Sequence, residues 1–155
     1  HAGFFALNSL RMEKGYRHWG HDIGEEDTPI EGGLSFAVDY NKSSFIGRDA
    51  LLKQKEAGIP KKRLVQFQLP EGCQKMLYHE EPIRKDGEII GSITSGGFGH
   101  RINRSLGMGY IHCEDGVSKD FINSGGFEVE IACEPIEVTT TFGSFYDPKN
   151  ERIKV

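Results

Sequence analysis

Cysteine is scarce in this chain, and its distribution argues against two classes of small protein. The 155 residues include three cysteines, Cys73, Cys113 and Cys133, which are far apart and form no C-x-x-C pair. An odd number of widely spaced cysteines disfavours a disulfide-stapled secreted domain and a paired-cysteine zinc site. We therefore expect reduced thiols that pack as small buried hydrophobic groups, in a reducing compartment.

Long apolar runs and an excess of charge are also missing. No stretch reaches the roughly 18 to 20 consecutive apolar residues that a membrane-spanning helix needs. Lysine and arginine total 19 against 23 aspartates and glutamates, and the net charge of −4 argues against a basic nucleic-acid-binding module. Because 37% of the residues are hydrophobic and 27% are charged, we expect an ordinary folded domain that binds neither nucleic acid nor membrane.

Glycine, by contrast, is abundant, with 20 of the 155 residues, and predicts many tight turns. In the first third of the chain, apolar side chains recur at helical spacing over residues 4–14, and Gly15 follows where a helix commonly ends. A run of helix formers predicts a second helix over residues 47–58. Between them, residues 34–40 alternate apolar with small or polar side chains, which predicts a half-buried strand.

The sequence changes character after the basic segment at residues 60–63, where short strand-like runs begin. The dipeptide Asp86-Gly87 separates two such runs and predicts a two-residue hairpin turn. Further alternating runs predict strands at residues 64–69, 106–111, 127–131 and 136–142. Short strands at this spacing are typical of an antiparallel sandwich or barrel, here of about six strands. The predicted fold class is therefore α+β and mostly β.

Several motifs that could carry chemistry are incomplete. His18 and His21, next to Asp22, lack the further ligands that zinc and iron sites require, so we expect no metal. The glycine-rich run at residues 96–99 resembles a phosphate-binding loop, but such a loop needs a helix N-terminus after it, and no helix pattern follows. We therefore expect a turn where a strand bends. The chain also has no dinucleotide-binding fingerprint, P-loop or nucleophile elbow, and we predict no catalytic residue.

A more informative grouping follows the first predicted helix. Arg11, Tyr16, Arg17 and Trp19 bring flat aromatic rings and guanidinium groups into one short segment. Aromatic rings can sandwich a heteroaromatic ring, and a guanidinium can hold a carboxylate by paired hydrogen bonds. This combination suits a ligand with a ring and an acidic tail. Ordinary packing is the alternative explanation, and it is the more common one.

Longer segments resemble a known family. They are SLRMEKGYRHWGHDI (9–23), TPIEGGL (28–34), FIGRDAL (45–51), GSITSG (91–96), LGMGYI (106–111), DFIN (120–123) and FYDPKN (145–150). In this order they resemble the C-terminal part of the dimethylglycine and sarcosine dehydrogenases, which belong with the aminomethyltransferase (T-protein) of the glycine cleavage system. The resemblance covers essentially the whole chain.

The resemblance implies a folate-dependent enzyme built in two halves. In these dehydrogenases the N-terminal half carries FAD and oxidises an N-methyl amine. The T-protein-like half binds tetrahydrofolate and captures the one-carbon unit as 5,10-methylenetetrahydrofolate. Residues 1–61 would be a helical remnant of the folate-binding domain, and residues 62–155 the Greek-key or jelly-roll-like C-terminal barrel. We expect this piece to be inactive alone, and its parent to work in a bacterial cytoplasm or the mitochondrial matrix.

The resemblance also implies site residues. Arg11, Tyr16 and Trp19 are candidate folate contacts, and Tyr146 falls near where the family's C-terminal segment closes over the folate. T-proteins carry an arginine four residues before the position of Arg11, where it reaches the glutamyl carboxylate of the folate. Here that residue is Leu7, which cannot make a charge-assisted contact. The departure favours the dehydrogenase branch.

Two alternatives and two structural expectations accompany this interpretation. The chain could instead be the C-terminal part of a glycine-cleavage aminomethyltransferase, or a non-catalytic barrel that serves as an interaction module. We expect Arg11 and Glu13 to form a buried ion pair that braces the first helix. The strand predicted at residues 34–40 would present an open edge, through which a second copy could pair to form a homodimer.

Overall fold

The computed structural model of the chain describes His1, residues 3–152 and Lys154. Within these residues the helices are α1 (Phe4–Lys14), α2 (Arg48–Glu56) and α3 (Lys119–Asn123). The strands are β1 (Lys62–Gln68), β2 (Pro82–Lys85), β3 (Glu88–Gly99), β4 (Arg104–His112), β5 (Phe127–Ile131), β6 (Glu134–Glu137) and β7 (Thr139–Thr141). None of the helices in this part of the chain has the length and apolarity needed to cross a membrane.

The seven strands form one antiparallel sheet that curls into half a barrel. The strand order is β6-β5-β2-β3-β4-β1-β7, so β1 lies beside β4 and not beside β2, which follows it in sequence. The longest pairing joins β3 to β4, from Gly91 opposite Ile111 to Gly99 opposite Arg104. The predicted fold, mostly β with an antiparallel barrel after two helices, is confirmed.

The hairpin between β2 and β3 turns at the predicted dipeptide. Asp86 and Gly87 have φ angles of 52° and 88°, and a type I′ turn requires positive values at both positions. Lys85 and Glu88 face each other directly across the turn. Because aspartate tolerates this region and glycine has no Cβ, the dipeptide fixes the register in which the two strands begin to pair.

Strand β1 is buried on both faces and separates two parts of the core. Phe67 points into the larger apolar cluster, whereas Leu64 packs on the opposite face against Met12 of α1. Gln66 lies on this second face; its amide nitrogen donates to the carbonyl of Met12, and its amide oxygen accepts from the backbone N–H of Phe145 at 3.2 Å. One buried side chain thus joins α1, the sheet and the C-terminal segment.

The glycine-rich run that predicted a turn belongs to β3 instead. Residues 96–99 pair with β4, so the strand continues through them. A Cβ added at Gly96 would lie 2.0 Å from the carbonyl oxygen of Leu77, because the segment before β2 crosses β3 at backbone distance. Glycine is needed here for the close approach of two backbones and not for a change of chain direction.

The prediction of a strand over residues 34–40 is wrong. The segment contains a 3₁₀-helix, Ser35–Ala37, and the backbone N–H groups of Ala37 and Val38 donate to carbonyls three residues earlier. Phe36 is 86% exposed, so the alternating pattern does not mark a buried face. Because these backbone donors bond locally, the segment offers no strand edge, and the expected homodimer loses the contact on which it was based.

Two smaller expectations also need correction. The last predicted strand, residues 136–142, divides into β6 and β7 at Val138, whose backbone N–H donates to the carbonyl of Phe127 at 3.0 Å. Cys133 is exposed and not buried, because it lies in the turn between β5 and β6, where it has a φ of 64°. Cys73 and Cys113 are half-buried against the larger apolar cluster.

Candidate functional site

One buried carboxylate holds the last turns of α1, the loop after it and strand β3 together. Asp22 is fully buried. Its oxygens accept hydrogen bonds from the guanidinium of Arg11 at 2.7 Å, the backbone N–H of His18 at 2.8 Å and the hydroxyl of Thr94 at 2.7 Å. Three donors, one of them charged, compensate the carboxylate for its lost hydration.

Arg11 directs its guanidinium toward groups of the protein. Besides the bond to Asp22, its Nε donates to the side-chain oxygen of Asn8 at 2.8 Å and its Nη2 donates to the hydroxyl of Ser95 at 3.0 Å. The carbonyl of Tyr16 lies a further 3.4 Å from Nη1. Arg11 therefore braces α1 and the loop against β3, and four of its five N–H donors are already engaged.

Glu13 is buried but does not pair with Arg11, so the prediction of an ion pair between these two residues is wrong. Oε1 of Glu13 accepts the backbone N–H groups of Arg101 and Ile102 at 2.6 and 3.1 Å. Side chains two residues apart on a helix point in different directions, so Arg11 and Glu13 reach different neighbours. Glu13 holds the β3–β4 turn against α1 and thereby brings Arg101 to the helix.

An open cavity of about 420 Å³ lies beside the end of α1. Three of the four predicted folate contacts, Arg11, Tyr16 and Tyr146, line this cavity, whereas Trp19 does not. Trp19 is 69% exposed and belongs to the loop held by Asp22. The rest of the lining comes from Leu7, Leu10, Glu13, Lys14 and Arg101. The structure thus brings two of the predicted aromatic rings and one guanidinium to a single surface.

Lys14 holds the C-terminal segment against this cavity. Its ammonium donates to the carbonyl oxygen of Asp147 and the amide oxygen of Asn150, both at 2.7 Å, and lies 3.3 Å from the Asp147 carboxylate. Burial tends to raise the pKa of Asp147, but two backbone N–H groups and the Lys14 ammonium outweigh it and hold that pKa below its usual range. This clamp places Tyr146 at the end of α1, where its N–H donates to the carbonyl of Glu13.

Arg101 differs from the other cations of the cavity. Arg11 and Lys14 are bonded to protein groups, but the exposed side chain of Arg101 has no hydrogen bond or ion pair within the described residues. Sequence reasoning missed Arg101, because it lies in a turn without a motif and only the β3–β4 hairpin carries it to α1. Flat rings with a free guanidinium at the rim suit a ligand that combines a ring with an acidic tail.

A smaller cavity of about 240 Å³ shares Arg11 with the first. The rings of His18 and His21 line it with centroids 4.7 Å apart and planes tilted by 56°, and His79 also contributes to its wall. In the described part of the chain no group of three or more histidine, cysteine or carboxylate side chains is placed to hold a metal ion. The two histidines are exposed and belong to the loop that Asp22 anchors.

Comparison with protein families assigns the chain to a known family. Residues 62–147 match the glycine cleavage T-protein C-terminal barrel domain, and residues 1–42 match the GCVT N-terminal domain. The barrel match covers more than half of the chain. The chain therefore belongs to the glycine cleavage T-protein family, as the resemblance of its sequence implied.

Its relatives are much longer proteins. Human mitochondrial sarcosine dehydrogenase is 36% identical over 156 residues, which is 99% of this chain and 17% of that protein. The 4-methylaminobutanoate oxidase (formaldehyde-forming) of Paenarthrobacter nicotinovorans is 38% identical over 154 residues, which is 99% of this chain and 18% of the oxidase. The chain thus spans less than a fifth of the length of either relative.

A solved structure shares the fold. The glycine cleavage system aminomethyltransferase T from Bartonella henselae superimposes with a TM-score of 0.73 at 27% sequence identity. The superposition covers 92% of this chain and 37% of that one. The curled antiparallel sheet and the helices before it are therefore the arrangement of this family.

Proposed function

We propose that the chain is the C-terminal part of the folate half of an N-methyl amine dehydrogenase, whose parent reaction is oxidative N-demethylation of dimethylglycine or sarcosine. The observation that carries the proposal is the cavity beside α1, with Tyr16 and Tyr146 in its wall and Arg101 at its rim. The similarity to a sarcosine dehydrogenase and a 4-methylaminobutanoate oxidase over 99% of the chain supports this branch of the folate-related family. Tetrahydrofolate, when bound, supplies the acceptor for the one-carbon unit.

The residues of the cavity fit a folate by chemical type. Tyr16 and Tyr146 contribute aromatic rings to its wall, and Arg101 contributes an unengaged guanidinium that suits a glutamyl carboxylate. Arg11 lines the same cavity, but its bonds to Asp22 and Ser95 favour a positioning role over direct contact. Trp19 stays a predicted contact that substitution can test. FAD would bind in the remainder of the parent, because this sequence carries no dinucleotide-binding fingerprint.

We infer that residues 1–61 belong to the folate-binding domain and residues 62–155 to the barrel. The start of β1 at Lys62 and the match of the barrel family from residue 62 support this division. The chain alone would bind and orient its ligand without turning over substrate. Since relatives include mitochondrial and bacterial proteins, we propose the mitochondrial matrix or the bacterial cytoplasm as the location of the parent.

Calorimetric titration with tetrahydrofolate tests the proposed site. Because the cavity is open, we expect a dissociation constant above about 10 μM. Tyr146→Ala and Arg101→Gln should each lower the affinity for tetrahydrofolate by a further factor of about five. Tyr78→Ala is the matched control, since Tyr78 is 63% exposed and lines the smaller cavity. Absence of binding at millimolar ligand, or equal losses in the control, would contradict the folate site.

Two other functions remain as alternatives with their own observations. The structural likeness to an aminomethyltransferase favours a glycine-cleavage parent, whereas the apolar Leu7 in the cavity wall favours the dehydrogenase branch. The coding sequence upstream of His1 decides between them: a dinucleotide-binding fingerprint supports the dehydrogenase, and a start directly in the folate domain supports the aminomethyltransferase. A chain that binds no folate, even joined to its upstream part, would instead be the non-catalytic module.

A further inference from the structure

A third cavity, of about 860 Å³, lies where residues 30–40, the end of α2 and the start of α3 meet the sheet. Within the described residues it shares no lining residue with the two cavities described above. Six of its fourteen lining residues have large apolar side chains: Ile30, Phe36, Val38, Ile59, Val117 and Phe142. Its charged lining residues are the cations Lys55, Arg63 and Lys119, and none of the lining residues is acidic.

Arg63 is a cation at a position where the strand pattern calls for an apolar residue. It lies on β1 in alternation with Val65 and Phe67, which enter the larger apolar cluster. Its guanidinium carbon is 4.6 Å from the centre of the Phe142 ring. Within the described residues its Nε has no hydrogen-bond partner, and no carboxylate lies within ion-pair distance of the guanidinium.

The neighbouring Arg17 shows how unusual this is. Burial lowers the pKa of both arginines, but Arg17 also feels the nearby Asp22 carboxylate and donates to the carbonyls of Gly15 and Gly32. Burial is the one resolved influence on the pKa of Arg63. A half-buried guanidinium without an anion or an acceptor loses hydration, and the contact with the Phe142 ring replaces only part of it.

A second polar group in the same cavity also lacks a partner. The hydroxyl of Tyr40 is buried and makes no hydrogen bond within the described residues, and the ammonium of Lys55 lies 4.3 Å from the centre of the Tyr40 ring. The cavity therefore combines an apolar wall, three cations and two unsatisfied polar groups. Its volume falls in the range of about 300 to 1,000 Å³ that is typical of small-molecule sites.

We propose that this third cavity binds a small organic anion, with its carboxylate on Arg63 and its hydrocarbon or aromatic body along the six apolar side chains. The ligand class follows from the lining alone: the cations require a negative group, and the apolar wall requires a hydrophobic body of ring size. The inference is independent of the folate site, because the two cavities are built from different residues.

Titration of the chain with 2-naphthoate, followed by NMR, tests this site, and the neutral 2-naphthamide is the matched probe of the same shape. We expect naphthoate to bind at least tenfold more tightly than the amide, with shifts at Phe36, Val117 and Phe142. Arg63→Gln should lower naphthoate affinity to that of the amide, and Arg63→Lys should retain part of it. Arg104→Gln, which alters a surface arginine paired with Glu71, should leave the affinity unchanged.

Equal affinity for acid and amide, an unaffected Arg63→Gln variant, or no naphthoate binding at 10 mM would each overturn the proposal. Shifts confined to Tyr16 and Tyr146 would do so as well, because they would place the probe in the folate cavity. The shift map uses the unaltered chain, so it decides the matter even if Arg63→Gln fails to fold. A thermal melt of each variant identifies that case.

Discussion

Replacing Arg11 by methionine tests the network around Asp22. Methionine keeps the length and helix propensity of the side chain and removes its charge and donors. The fully buried Asp22 would then retain two neutral donors, the N–H of His18 and the hydroxyl of Thr94, and would lose the cation bonded to it, with the Arg17 guanidinium left nearby but not bonded. The expected effect is therefore that of an unpaired buried charge.

The structure sets the size of this loss. Removing one partner of a buried ion pair costs about 3 to 5 kcal/mol in free energy of unfolding. The two donors that remain on Asp22 place Arg11→Met near the lower limit, at about 3 kcal/mol. For a chain of this length, that corresponds to a fall in Tm of roughly 6 to 12 °C. Adding Asp22→Asn should recover about 2 kcal/mol, because it removes the unpaired charge.

Thermal and urea unfolding of the four combinations of Arg11→Met and Asp22→Asn give this coupling free energy. Arg104→Met is the control: its partner Glu71 is 80% exposed, so its loss should cost less than about 1 kcal/mol. An Arg11→Met variant no less stable than the control, or a coupling free energy near zero, would refute the role of Asp22 as the junction of helix, loop and sheet.

Two further predictions concern the backbone crossing and the C-terminal clamp. Gly96→Ala should lower the free energy of unfolding by about 3 kcal/mol or more, because the added Cβ would meet the backbone of Leu77. Gly97→Ala is the control and should change Tm little, because the nearest atom to its Cβ would be 3.4 Å away. Equal Tm values for the two variants would contradict the backbone crossing. The pKa of Asp147 is lower in the folded chain than in the unfolded chain. The stabilisation from the ionised clamp is therefore complete above the usual aspartate pKa of about 3.9, and it is lost as the pH falls through the lower pKa of the folded chain. The NMR signals of Tyr146 should move toward unfolded positions in that acid range, and in Asp147→Asn they should already be shifted at about pH 6; unchanged signals in the variant would count against the clamp.

The features that could be predicted from the sequence depend on local signals. Asp86-Gly87 specifies a turn through its own backbone preferences. Helix α1 follows from apolar spacing and the glycine after it, and α2 follows from a run of helix-forming residues that ends before Gly58. The alternation of apolar and polar residues at 34–40 gave a wrong strand prediction, because a strand also needs a neighbouring strand to pair with. The periodicity within one segment does not show whether such a neighbour is available. The backbone there bonds to itself instead.

The site was less predictable because its members meet only through tertiary structure. Arg11 and Tyr16 could be singled out by residue type, but the engagement of Arg11 with Asp22 and Ser95 depends on how α1 packs on β3. Arg101 reaches the cavity through a hairpin turn that Glu13 captures by backbone hydrogen bonds. Nothing in the sequence around Arg101 distinguishes it from a solvated surface arginine.

The seating of α1 has a consequence for synthesis of the protein. The hydroxyl of Ser9 donates to the carbonyl of Phe98, 89 residues further along the chain. At translation rates of roughly 5 to 20 residues per second, the helix leaves the ribosome roughly 4 to 18 s before the strand that receives it. During that interval the residues of β4 that cover Met12 in the folded chain, Leu106 and Met108, are not yet in place beside it. A helix that is translated early therefore depends on a strand that is translated late for its packing.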